Sequence, residues 1–481
     1  MNRKISFRAL WLGLIVSSVA VAAAGFAAAI SATSAQAESL ILVDAGSGKV
    51  LRADNATYPW HPASLTKLMT LYLTLTALHD GQITPDTLFP VSPVAAMQSP
   101  TKMGFPVGTQ VTVDNAIKMM MVKSANDMAV LLAEGLGGSI EQFSAAMTDT
   151  AHRLGMTETN YVNPNGLPDD NQITSARDLA ILARALIHDF PQYSAYWHIP
   201  AIKYGRRIVR NYNPLLGRYP GTDGMKTGFV CASGFNLVAT ANRGDKELIA
   251  VVLGAPSSGA RAVKAAQMLQ YGFNQGPLSW LTPSLGTVDS LTPIDATPPD
   301  LTDEMCGRHR RRAASETDDP DADFDTGADS VVDGGPKFSV ILSALRDRSA
   351  DNLLPDAGPV TPVVVYTGPT RTPDQIAKLE AQIAAEPVHR KGKRKVAVAK
   401  HEAAEHKAVK PDVHRPVKPA ARKPAVDGQK VDGKKHDGKT AAVQWTPMSS
   451  SALASSPPPE LKADTPKPSP AKKPSAANIP Q

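Results

Sequence analysis

The sequence predicts an α/β domain in which one antiparallel sheet, formed by the two ends of the domain, is covered by helices. Three observations lead there. Strand-like apolar runs stand near both ends of the segment 38–275, runs with helical spacing fill its middle, and beyond it apolar density falls while proline accumulates. One domain of ordinary size therefore owns the core of this 481-residue chain.

Residues 39–43 and 49–53 read as two strands joined by Asp44-Ala45-Gly46-Ser47-Gly48, whose Gly and Asp supply hairpin turn geometry. Pro62 suits a first helical turn, and 64–78 carries Leu65, Leu68, Met69, Tyr72 and Leu75 at spacings of three and four. Ser64 and Lys67, three apart, then share one face. Segments 114–121 and 127–136 predict two helices with 123–126 at their junction. Helices follow over 139–154 and 175–188, the latter capped by Thr174 or Ser175. Strands 235–241 and 247–254 flank a turn at 242–246, and a helix over 260–273 closes the domain.

Outside 38–275 composition decides. Arg3, Lys4 and Arg8 precede an uncharged Leu/Val/Ala-rich stretch ending on Ala35-Gln36-Ala37, so 1–37 reads as a secretory signal peptide. A retained anchor is the alternative, and either places the protein outside the cytoplasm, in periplasm or envelope. Residues 276–386 read as a linker region with an acidic cluster at 318–325, a short apolar run at 363–366 and, over 375–385, three helical turns with few apolar anchors. From 387 to 481 there are 20 Lys and Arg against 8 Asp and Glu, a local +12, so the rest of the chain sums to −6 although the total is +6. This Lys/Pro/Ala-rich tail is disordered by composition. A tether to an anionic envelope surface and a plain solvated spacer are both open for it. Nucleic acid is not expected, because no aromatic residues interleave with the tail's charges. The two cysteines, Cys231 and Cys306, read as unpaired thiols, with Cys231 buried in a strand, although an oxidising compartment permits a disulfide. The histidines make no metal-ligand spacing in the core and no phosphate or dinucleotide loop occurs, so no metal or cofactor is expected.

Three strings carry chemistry: Ser64-Leu65-Thr66-Lys67, Ser124-Ala125-Asn126 and Lys226-Thr227-Gly228. Ser64 is a weak nucleophile that needs a base within hydrogen-bond reach. Lys67 is placed for that, but a free lysine titrates near 10.4 and must lose about 4 kcal/mol of preference for the charged form. Burial and a second cation, Lys226, are the expected causes. Ser124 then passes a proton to a leaving amine, and Asn126 holds a substrate amide. Lys226 and Thr227 meet a carboxylate, and Gly228 lets backbone approach. The backbone N–H groups of Ser64 and Phe229 are the candidate oxyanion donors.

The stretch 61–70, His61-Pro62-Ala63-Ser64-Leu65-Thr66-Lys67-Leu68-Met69-Thr70, resembles the D-alanyl-D-alanine carboxypeptidases among the low-molecular-mass penicillin-binding proteins. So do 123–127, 155–167, 174–178 and 223–228, which spreads the similarity over 38–275. The resemblance implies a β-lactamase/transpeptidase-like fold and an acyl-enzyme on Ser64, with Lys67 as base, Ser124 as relay and Lys226 on the substrate carboxylate. It implies removal of the terminal D-alanine from peptidoglycan stem pentapeptides, inhibition by β-lactams, and a loose match of Arg261 to a carboxylate contact. A surface helix arginine is the competing reading of Arg261. Serine β-lactamases share the three strings but add a Glu-x-x-Leu-Asn segment, and Glu158 is followed here by Thr159-Asn160-Tyr161-Val162. Slow release of a β-lactam adduct is therefore expected. A non-enzymatic envelope-binding protein is the remaining class, against which the intact trio argues.

Overall fold

The computed structural model describes residues 38–275, 285–308, 353–356 and 358–385. The leader, the acidic cluster and the basic tail lie outside the described residues.

Five antiparallel strands make the main sheet, in the order β2-β1-β9-β8-β7. Its members are β1 (Ser39–Asp44), β2 (Val50–Asp54), β7 (Thr222–Val230), β8 (Gly234–Arg243) and β9 (Lys246–Ala255). The first strand lies between β2 and β9, in register Leu40 with Val252 and Val43 with Ile249, so the two ends of the domain do meet. Every residue of β9 from Leu248 to Ala255 is buried, as strands covered on both faces require.

Helices fill the interval. A 3-10 turn (Ala63–Thr66) leads into α1 (Lys67–His79), so the single helix expected over 64–78 is split at the lysine. Between α1 and the serine motif the chain builds β3 (Leu88–Pro90), α2 (Pro93–Met97) and β4 (Gln110–Thr112), a small excursion that periodicity does not reveal. Next come α3 (Val113–Val122), α4 (Asn126–Gly137), α5 (Ile140–Arg153) and α6 (Ala176–Asp189). The α4 helix is apolar nearly all round and packs against α1, α2, α3 and α5, the position such a helix must occupy. Ser175, one of the two expected caps, accepts the Asp178 N–H at the start of α6. There Arg177 and Asp178 form a buried ion pair at 2.7 Å. A short helix α7 (Ala195–His198) and the hairpin β5 (Ala201–Tyr204) and β6 (Arg207–Arg210) precede β7. Helix α8 (Ser258–Phe273) packs on β8 and β9, while α6 packs on β9 and β1.

Described residues beyond 275 fold back onto this domain. Val50 donates to the Gly286 carbonyl, Val288 to the Gly48 carbonyl, and Arg177 to the Val288 carbonyl. Leu301 donates to the Ala232 carbonyl just before α9 (Thr302–Cys306). Cys231 and Cys306 form a disulfide, so the expectation of unpaired thiols is corrected. Cys231 sits in the turn after β7, half-buried rather than inside a strand, and the Leu301 contact brings the two thiols together. Further on, β10 (Val363–Val364) joins β5 in parallel. Helix α10 (Pro373–Ala385) then lies with Ile376, Leu379 and Ile383 half-buried, and Glu380 bonds Lys203 at 2.6 Å.

Candidate active site

The nucleophile turn is set by two close approaches. A Cβ on Gly228 would stand 3.0 Å from Ser64 N and 3.1 Å from Leu65 N, so only glycine lets β7 lie against this turn. Gly166, at φ +81°, passes so near that a Cβ would fall 1.7 Å from the Ala63 carbonyl oxygen. Ser64 is half-buried between these two approaches.

Lys67 is wholly buried, and its Nζ donates to Ser64 Oγ at 2.9 Å, Asn126 Oδ1 at 2.8 Å and the Asn165 carbonyl at 2.6 Å. Ser124 holds φ at +58°, a left-handed backbone that non-glycine residues adopt at a cost and that recurs at functional sites. Its Oγ accepts from Lys226 Nζ at 3.0 Å, and Lys226, 1 % exposed, also donates to the Thr227 carbonyl. Two lysines thus enter one site from α1 and β7, each with a serine hydroxyl in hand. Asn126 accepts from Lys67 on Oδ1 and donates from Nδ2 to the Ser99 carbonyl, which fixes the orientation of the amide. The Thr227 hydroxyl is buried and has no partner among the described residues, which leaves it available to a ligand. Phe229 lies one residue past Gly228 on β7, an edge strand whose free side can take an extended peptide.

Arg261 is not a surface residue; that reading is corrected. It is fully buried behind β7, donating to the carbonyls of Gly228, Asn236 and Tyr212 and to Ser258 Oγ. The first of these bonds ties α8 to the strand that carries Lys226-Thr227-Gly228. Glu158 has Asp178, Arg177 and Asp295 as its charged neighbours, and burial pushes its carboxyl up, ahead of repulsion by Asp178.

Two supports escape sequence reasoning. Gln172 donates to Thr66 Oγ1 and accepts the N–H groups of Val162 and Asn163, while its carbonyl meets His61 Nδ1. It ties the loop before α6 to the nucleophile turn, and nothing in the motif strings marks it. Asp127, 0 % exposed, accepts from Met103 N at 3.0 Å, Gly104 N at 2.8 Å and Met128 N at 3.0 Å. It anchors the loop 98–104, whose Thr101 hydroxyl meets the carbonyls of Lys123 and Ser124. Its place directly after the Ser-x-Asn string was the available signal.

An antiparallel sheet whose edge strand presents Lys-Thr-Gly to a Ser-x-x-Lys helix, with a Ser-x-Asn turn closing the third side, is the plan of the penicillin-recognising serine enzymes. The D-alanyl-D-alanine carboxypeptidase family model matches residues 26–257. The chain is 34% identical over 275 residues to the D-alanyl-D-alanine carboxypeptidase DacA of Haemophilus influenzae, covering 56% of this chain and 70% of that one. It is 37% identical over 251 residues to DacC of Escherichia coli, covering 51% of this chain and 63% of the relative's length. A crystal structure of penicillin binding protein 5 from Haemophilus influenzae aligns with TM-score 0.48 at 35% identity, over 50% of this chain and 71% of that one. The chain belongs to the D-alanyl-D-alanine carboxypeptidase family.

Proposed function

We propose that the protein is a serine D-alanyl-D-alanine carboxypeptidase that removes the terminal D-alanine from peptidoglycan pentapeptides through an acyl-enzyme on Ser64. The observation that carries this reading is the 2.9 Å contact between a buried Lys67 amine and Ser64 Oγ. As a neutral amine, Lys67 donates two hydrogens to Asn126 Oδ1 and the Asn165 carbonyl and accepts the third contact from the Ser64 hydroxyl. Ser64 Oγ then attacks the penultimate D-alanine carbonyl as its proton passes to Lys67. The Ser64 and Phe229 N–H groups take the developing oxyanion. Ser124, held by Lys226, hands its proton to the departing nitrogen and is reprotonated by the proton Lys67 took, so Lys67 is neutral again and D-alanine leaves as the free amino acid. Water attacks the ester, its proton returning through Lys67, and the shortened peptide leaves as a carboxylic acid with Ser64 restored. The unpartnered Thr227 hydroxyl and the Lys226 charge receive the substrate's terminal carboxylate, with Arg261 steadying the strand behind them. A β-lactam acylates the same oxygen and is released slowly.

Export follows from the leader over 1–37, and the basic tail serves as contact with an anionic envelope surface. Among the described residues no helix is long and apolar enough to cross a membrane.

Mass spectrometry of the protein after benzylpenicillin and after a peptide ending in D-Ala-D-Ala tests the reading. The expected result is a covalent adduct on the peptide containing Ser64 and release of one D-alanine. An unmodified Ser64 in excess penicillin overturns it.

A further inference from the structure

Beside the serine motif two positive groups, Lys123 and Arg207, act on one another, and among the described residues neither makes an ion pair. Lys123, immediately before Ser124, is half-buried at the end of α3, and among the described residues its amine makes no hydrogen bond or ion pair. Burial first, and then the charge of Arg207, holds its pKa below the usual lysine range, while Asp127 acts against both. Asp127 is the carboxylate that ought to neutralise it, yet that group is spent on three backbone N–H groups and is closed off from solvent.

Arg207 reaches the same place by an independent chain of contacts. It faces Tyr204 across the β5–β6 hairpin, and the Tyr204 ring packs on Phe105 at 5.3 Å. Phe105 follows Gly104, whose N–H is held by Asp127 at the start of α4. The hairpin's other cations are occupied: Lys203 bonds Glu380, Arg206 the Ile383 carbonyl and Arg210 the Gly358 carbonyl. Arg207 is exposed and has no such partner among the described residues. Nearby Lys102 is also engaged, on the Ala96 carbonyl. Two like charges that repel one another, one of them half-buried, cost free energy that an arriving anion recovers.

We propose that Lys123 and Arg207 form an anion subsite at the Ser-x-Asn edge of the site, which receives a carboxylate carried by the substrate peptide upstream of its D-Ala-D-Ala end. This rests on the carboxypeptidase reading and adds to it a determinant of which acyl donor is preferred. An ammonium and a guanidinium fork together suit a carboxylate, and the ammonium stands one residue from the proposed proton relay.

The test uses the full chain and two pentapeptides ending in D-Ala-D-Ala, identical except for Glu or Gln at one upstream position. The wild type is expected to favour the Glu peptide in kcat/KM by about five-fold at low salt, chiefly through KM, as half-exposed charge pairs allow. Lys123→Gln and Arg207→Gln each bring that ratio towards one, Lys123→Arg retains it, and 0.5 M KCl removes it in the wild type (about a 4 Å screening length). A ratio does not change merely because part of a variant preparation is unfolded. Hydrolysis of both peptides at equal efficiency by the wild type overturns the subsite, as does a preference that survives both glutamine variants. Hydrolysis of neither peptide is a different failure, that of the carboxypeptidase reading itself.

Discussion

Replacing Asp127 by asparagine loosens the loop 98–104 from α4, which begins at the last residue of the serine motif. The native carboxylate accepts Met103 N and Met128 N on Oδ1 and Gly104 N on Oδ2. An amide keeps one acceptor oxygen, so the first two bonds survive, and its NH2 faces the Gly104 N–H, which is left unpaired. Losing a bond to a charged group and leaving a part-buried donor unsatisfied costs about 2–4 kcal/mol. For a domain of this size that lowers the melting temperature by about 5–15 °C. The same loop supplies the Ser99 carbonyl that orients Asn126 and the Thr101 hydroxyl that fixes the Lys123 and Ser124 carbonyls. If one of those orienting bonds is lost in the transition state, acylation slows by about ten-fold, or 1.4 kcal/mol. Differential scanning calorimetry and the rate of labelling by a fluorescent penicillin measure both effects, the second well below the melting transition. An Asp127→Asn protein that melts within a degree of wild type and labels at the same rate refutes this reasoning.

Other expectations follow from neighbouring features. Gly228→Ala pushes a methyl to 3.0 Å from Ser64 N and should slow penicillin acylation by about 10–100-fold, with a melting temperature lower by a few degrees, as about 1–3 kcal/mol of overpacking implies. Equal acylation rates would contradict the close approach. Reduction of Cys231–Cys306, or Cys231→Ser with Cys306→Ser, opens a loop of 75 residues in the unfolded chain and should cost up to about 4 kcal/mol in calorimetry. A melting temperature that does not respond to reductant would show the clamp to be idle. Lys123 has a folded pKa below its unfolded one, so it penalises folding fully below the folded value and not at all above about pH 10.4. Lys123→Gln should therefore be more stable than wild type at neutral pH, with the gap closing as pH rises to 10; a gap that widens contradicts the sign.

Where side-chain pattern decides structure, the sequence was readable. Strands β1, β2, β8 and β9 and helices α3 to α6 are rich in apolar residues at the right period, and each begins and ends within a few residues of its expected bounds. Strand β7 was not delimited, because Thr222-Asp223-Gly224-Met225-Lys226-Thr227-Gly228 has poor strand chemistry and is held by pairing with β8 rather than by propensity. The lysines and serines of the three strings converge as expected, since spacing along α1 and order along the chain fix who can meet. The second partner of each side chain was illegible. That Asn126 serves Lys67 and Ser99, that Arg261 turns inward under Gly228, and that Cys231 finds Cys306 all depend on loops whose courses only tertiary packing sets.

The placing of β1 between β2 and β9 has a consequence for how the polypeptide comes to be folded. Its partner on one side is not synthesised until some two hundred residues later, so until then the emerging chain carries an apolar strand with one edge unpaired. Such distant pairing makes for slow assembly and leaves that edge open to chaperones in the meantime. Fragments that stop short of Ala255 would lack the strand that zips the sheet shut, whatever portion of the site they encode.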